Sequence, residues 1–177
     1  MEPIISPGEL TLTADSQVAY ASGRVRDYCH WHVYPAVDDT ITVDAEGGSL
    51  LLLPSLKVNS VTSVVEVGAD GTETTLVFRD DYSWSPKGIL ARVGRWPCRF
   101  QSVRVEMNHG YDELPDALAE VVVSVAKRMP AQQATVTQRM VGSEQVMYGS
   151  PLSPIAATGF TAAEQMVLDG YRIKARP

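Results

Sequence analysis

Apolar residues recur every second position between about 40 and 109, and every third or fourth position on either side of that stretch. This change of period constrains the fold more than any single motif, because strands and helices select different residues for burial. Ile41 and Val43 alternate with Thr40, Thr42 and Asp44; Val103, Val105, Met107 and His109 alternate with Arg104, Glu106 and Asn108. Three turn sequences punctuate the region: Glu46-Gly47-Gly48, Ala69-Asp70-Gly71 and Ser85-Pro86-Lys87-Gly88. Glycine supplies the positive backbone angle that tight hairpins require. The pattern predicts six or seven short antiparallel strands, near 40–45, 49–53, 58–67, 73–79, 82–84, 89–93 and 101–109. Such a meander should fold over itself into a small sandwich or barrel.

Helical spacing precedes it. Val18, Ala21, Val25, Tyr28 and Cys29 line one face of a helix predicted near 14–30, with Asp15 or Ser16 as cap and Pro35 barring continuation. An earlier Ser6-Pro-Gly-Glu9 has the form of a capping box. A second helix is predicted near 115–129. Pro115 suits its first turn, Asp112, Glu113 and Asp116 crowd its positive end, and Lys127 and Arg128 its negative end. The middle, ALAEVVVSVA, is apolar nearly all round, interrupted only by Glu120 and Ser124. A helix of that kind must be covered on more than one side. With 177 residues available, a neighbouring subunit is the natural cover, and Leu118, Val121, Val122, Val123 and Val125 are the candidate interface.

Residues 130–160 carry no sustained period, and a stretch this long inside a compact domain is expected to gain order by docking. Thr161-Ala-Ala-Glu164 is a second capping box and opens a final helix, near 161–172, with Met166, Val167 and Tyr171. Met140, Tyr148, Met166, Val167, Tyr171, Arg172 and Ile173 are the candidate docking residues of this arm.

The chemistry-bearing residues form no recognisable active site. Cys29, His30 and His32 fall within four positions, but structural zinc needs four ligands in spaced pairs, and Cys98 and His109 stand apart. Cys29 continues the apolar helical stripe, so the group reads as packing at a helix end. His109 reads as a hydrogen-bonded residue at a sheet end. Asp38-Asp39 and Asp80-Asp81 read as solvated loop charges, and Trp31, Trp84 and Trp96 as core or interface. Phosphate-loop, nucleophile-elbow and H-E-x-x-H patterns are missing from the sequence. The net charge of -6 disfavours non-specific adhesion to nucleic acid. The longest apolar run, Leu50 to Leu53, is far too short to span a bilayer. No signal peptide is read at the N-terminus, and two distant cysteines suggest a reducing compartment.

In order, AYASGRVRDYCHWHVYP, TITVDAEGGSLLLLPSLKVNSVTSV, YSWSPKGIL, GRWPCRF, VRVEMNHGYDELPDALAEVVVSVAKR and TAAEQMVLDGYR resemble the head-to-tail adaptor (connector) proteins of long-tailed, siphovirus-type bacteriophages of actinobacteria. The resemblance spans about 14 to 173. His30 departs from the pattern, where glycine often follows the cysteine. The resemblance implies an α+β fold: a helical-bundle adaptor core (helices near 14–30, 115–129 and 161–172), a β-rich antiparallel insertion at about 40–109, and an extended C-terminal arm. All would form a single adaptor domain over 1–177, divided as 1–34, 35–110, 111–130 and 131–177.

The implied role is structural: a homo-oligomeric ring of twelve subunits beneath the portal protein, meeting a head-closure, tail-terminator or tail-tube protein. It would be made in the host cytoplasm and reside in the virion neck, where DNA passes through its channel without specific binding. No cofactor, metal, membrane or enzymatic activity is implied. Three alternatives stay open: another neck component (head-closure or tail-completion), a small metal-dependent enzyme using Cys29, His30, His32 and His109, and an oligonucleotide-binding barrel at 40–109.

Overall fold

The computed structural model describes residues 13–133, 139–141, 144–146 and 159–174, with side chains described outside 129–146. The chain divides into two compact units, Met1–Tyr28 with Pro115–Gly170, and Cys29–Leu114 with Tyr171–Pro177. The Ser6–Glu9 capping box lies outside the described residues.

The first unit takes in α1, Ala14–Cys29, as far as Tyr28. Its cap is Thr13 rather than Asp15 or Ser16: Thr13 Oγ1 accepts from the Ser16 N–H, and its carbonyl accepts from Gln17 N–H at 3.0 Å. Ala21, Val25 and Cys29, four residues apart, form the buried line, whereas Val18 is exposed. The next helix, α2, spans Asp116–Gln133 and so continues past the expected end near 129, leaving Lys127 and Arg128 inside the helix rather than in its last turn. A short antiparallel pair, β8 (Arg139–Val141) and β9 (Glu144–Val146), follows where no periodicity was visible. The last helix, α3, covers Ala162–Asp169 and stops at Gly170, short of the expected 172.

The expected capping box is present in full: Thr161 Oγ1 accepts from Glu164 N–H, and the Glu164 carboxylate accepts from Thr161 N–H. That carboxylate also accepts from the Ser124 hydroxyl and the Arg128 guanidinium on α2, each at 2.8 Å. From α1, the Tyr28 hydroxyl donates to Asp169 at 2.8 Å and its ring meets Phe160 edge-on. A helical-bundle core is not evident. α3 and its flanks are instead the element to which both longer helices are tied.

The second unit holds seven strands: β1 Val37–Glu46, β2 Leu50–Leu52, β3 Val58–Val67, β4 Glu73–Thr75, β5 Tyr82–Ser85, β6 Ile89–Arg92 and β7 Cys98–His109; β1 and β7 begin three residues before the expected 40 and 101, and β4 stops four short of 79. They form two antiparallel sheets, ordered β1-β7-β3-β4 and β2-β6-β5. Twelve-residue β7 is paired on both edges, and its alternate residues Val103, Val105 and Met107 are buried because that face meets the core. Both sheets contribute to one core, where Val64, Val103 and Val105 join Leu51, Tyr82, Leu90 and Trp96. The tryptophans behave as expected: Trp31 and Trp96 are buried and Trp84 packs against the core. Glycine is required at 88. With φ at +72°, an added Cβ would stand 2.0 Å from the Ser55 carbonyl oxygen.

Candidate functional site

The cysteine–histidine group disperses as the helix ends. Cys29 is the last residue of α1 and buried; burial pushes its thiol up to about 11, while nearby Arg172 pulls in the opposite direction. His30 then takes a left-handed φ of 64°, which turns the chain out of the helix and leaves the ring exposed near the Arg172 guanidinium. His32 donates through Nε2 to the Pro35 carbonyl, since a carbonyl can only accept. Cys29 and His30 thus both lie near Arg172 while His32 turns to the Pro35 carbonyl, and Cys98 lies exposed at the start of β7. Among the described residues no group of three or more His, Cys, Asp or Glu could hold a metal ion.

His109 differs from the expectation of a hydrogen-bonded sheet-end residue. It is buried, at 4% exposure, with neither ring nitrogen hydrogen-bonded among the described residues. Asp39 approaches its Nε2 at 3.7 Å, an ion-pair distance too long for a hydrogen bond. Asp38 and Asp39 lie in β1 rather than in a loop.

The candidate interface residues of α2 separate by exposure. Leu118, Val121 and Val125 are buried within the chain itself, Val122 is half-buried, and Val123 is exposed at 46%. Only Val122 and Val123 are available to a neighbour without rearrangement. Ser124, read as an interruption of the apolar surface, and Arg128, read as a helix-end charge, instead receive Glu164.

Of the candidate docking residues, Met166 is exposed at 79%, Val167 is half-buried and Arg172 is exposed. Tyr171 and Ile173 are engaged inside the second unit. The Tyr171 carbonyl accepts from Trp31 Nε1–H at 2.6 Å, its ring meets Tyr111, and Ile173 N–H donates to the Cys29 carbonyl at 3.0 Å. Met140 is placed only as a strand residue of β8, and Tyr148 lies outside the described residues.

Sequence reading missed Phe100, the most exposed aromatic among the described residues, at 84%. The register between β1 and β7 shifts beyond the Val43–Val103 pair, resuming at Ala45–Arg99, so β7 carries extra residues there. Gln101 in this bulge has φ of 49°, and its N–H donates to the Asp44 carboxylate at 2.7 Å; the Ser102 hydroxyl donates to the Arg99 carbonyl at 2.9 Å. These bonds hold a strained turn that presents Phe100 to solvent. Alternation carried no signal for it, because the bulge breaks the period between Phe100 and Arg104: Ser102, of the same parity, is fully buried. On the same unit an open groove of about 730 Å³ mixes Leu52 and Leu56 with Asp44, Glu46, Lys87 and Lys174. No described helix is long and apolar enough to cross a membrane.

No known family profile matches the chain, and no curated protein matches it. Solved structures do. The fold resembles a chain in the virion of a native gene transfer agent particle, with a TM-score of 0.59 at 15% identity over 99% of this chain and 86% of that one. It also resembles a chain in the neck of the empty particle computed with C6 symmetry, with a TM-score of 0.58 at 16% identity over 93% of this chain and 79% of the other. A third similar chain, in the neck of the native particle computed with C12 symmetry, has a TM-score of 0.56 at 16% identity over 96% and 87%. At such identities the likeness is one of fold.

Proposed function

We propose that this chain is a structural protein of a phage-like virion neck, a head-to-tail adaptor that closes into a ring of twelve and carries the DNA channel from portal to tail. The observation that carries this reading is the fold likeness across 99% of the chain to a virion component, with two further likenesses to neck chains. C6 and C12 symmetry of those necks supports a cyclic assembly, and twelve copies accords with both.

Closed rings of identical subunits need two different complementary faces on each copy. Exposed Val123 and Met166 on the helices, and Phe100 on the sheet unit, supply apolar contact points for such faces. The acidic balance suits a channel that DNA must traverse without adhering. The role is mechanical and non-enzymatic, and its partners are further copies, the portal above and a head-closure or tail protein below.

Sizing of the purified chain alone and after mixing with portal tests the reading. A shift of the chain into a portal-bound species with twelve copies is expected. A chain that ignores portal but binds the tail end would favour a head-closure or tail-completion role. Stoichiometric metal with turnover by the lone protomer would revive the enzyme.

A further inference from the structure

The end of β7 contains a cluster of titratable groups that the assembly reading does not use. In the sheet, His109 stands opposite Val37 of β1 and Val58 of β3, so apolar residues flank it in both registers. Its ring is buried with both nitrogens lacking a hydrogen-bond partner among the described residues. The His32 ring packs edge-on against it, centroids 5.9 Å apart, from the segment that follows α1. From β1 the half-exposed Asp39 carboxylate comes within 3.7 Å. The facing ionisable groups are therefore one carboxylate and one second imidazole, while β3 contributes Val58.

Directly after His109, the chain is fastened by backbone bonds. Gly110 N–H donates to the Lys57 carbonyl at 2.9 Å, and Tyr111 N–H to the Val33 carbonyl at 2.8 Å. The Asn59 amide holds the Gly110 carbonyl at 3.0 Å. These bonds draw the end of β7 against residues 33 and 57, beside the Trp31–Tyr111–Tyr171 ring contacts.

We propose that His109, with His32 and Asp39 packed beside it, forms an acid-sensitive latch at the end of β7, closed while the His109 imidazole is neutral and opened when it takes up a proton. An imidazolium at His109 would be a buried charge between Val37 and Val58, cut off from bulk water and without a hydrogen-bond acceptor among the described residues. Asp39, its carboxylate half in solvent and 3.7 Å away, offsets part of this cost but less than burial imposes. Burial holds the His109 ring below its usual titration range; Asp39 raises it and His32 lowers it further. The open form therefore binds the proton first. As pH falls below the ordinary value of 6.5, the equilibrium moves toward release of Gly110 and Tyr111. The latch belongs to the chain itself and holds whether or not the chain forms a ring.

Amide hydrogen exchange of Gly110 and Tyr111 in the full chain, corrected for intrinsic exchange and followed from about pH 7.5 to about pH 5, tests it. Protection should fall about tenfold for each unit by which the His109 titration is depressed. His109→Phe, which fills the site without titrating, should abolish the dependence, and His32→Phe should make it shallower. Unchanged protection in the wild-type chain, or an equal loss in His109→Phe, overturns the latch. Should His109→Phe fail to fold, the wild-type imidazole signal decides: a His109 midpoint below 6.5 supports the latch, and one at or above it overturns it.

Discussion

Arg128 on α2 places its guanidinium 2.8 Å from the Glu164 carboxylate on α3. The carboxylate that closes the capping box is therefore also the anchor between two helices, and one group satisfies donors from the Thr161 backbone, Ser124 and Arg128. Burial pushes the Glu164 pKa up, but those three donors outweigh it and hold the group below its ordinary value of 4.5.

Replacing Glu164 with Gln keeps the size and removes the charge. The variant should lose about 1–3 kcal/mol at neutral pH, because Arg128 is left with a weaker partner. Since the folded-state pKa is depressed, this stabilisation is complete above about pH 4.5 and fades as pH falls through the folded value. Urea unfolding of both proteins at neutral pH and near pH 3 should show the difference narrowing on acidification. An equal gap at both values would contradict the linkage.

His30 occupies a left-handed position at the end of α1, where glycine costs nothing sterically. Its only described contact is a long one, 3.5 Å to Arg172. His30→Gly should raise stability by about 0.5–1 kcal/mol, and the melting temperature by a few degrees. A lower melting temperature would mean that the His30–Arg172 contact outweighs the backbone strain.

The two thiols should differ sharply in reactivity. Cys98 is exposed, whereas Cys29 is buried with its thiol pushed up to about 11. An excess of alkylating reagent near pH 8 should modify Cys98 alone in the native chain and both after denaturation. Rapid native labelling of Cys29, read by peptide mass, would refute its burial.

On α2, neighbouring valines should separate folding from assembly. Val121→Asp buries a charge and should unfold the unit, costing upward of about 3 kcal/mol. Val123→Asp should change protomer stability by no more than about 0.5 kcal/mol yet reduce incorporation into particles. Normal incorporation of a folded Val123→Asp chain would remove Val123 from the ring contact.

Much of this organisation is legible in the sequence for a physical reason. The period-two alternation and the glycine turns placed the strands of the β unit, since most of them bury alternate residues and each tight turn needs its own residue type; β4, exposed throughout, ends at Thr75 rather than 79. The Thr161–Glu164 box was legible because capping is a local rule. Distant pairings were not: nothing in the spacing of Ser124, Arg128 and Glu164 says that they meet. The apolar circumference of α2 could not distinguish Leu118, Val121 and Val125, covered by the chain itself, from exposed Val123. The β8–β9 pair escaped because it lies in a stretch with no sustained apolar period. His30 illustrates the reverse case, where a residue that departs from the adaptor pattern coincides with backbone geometry that favours glycine.

A reconstruction of the neck of intact particles, made with this chain epitope-tagged, bears most directly on the central claim. A closed ring carrying twelve tags between portal and tail, surrounding the DNA path, is the predicted result. Intact, infective particles with no density for the chain at that position would contradict it.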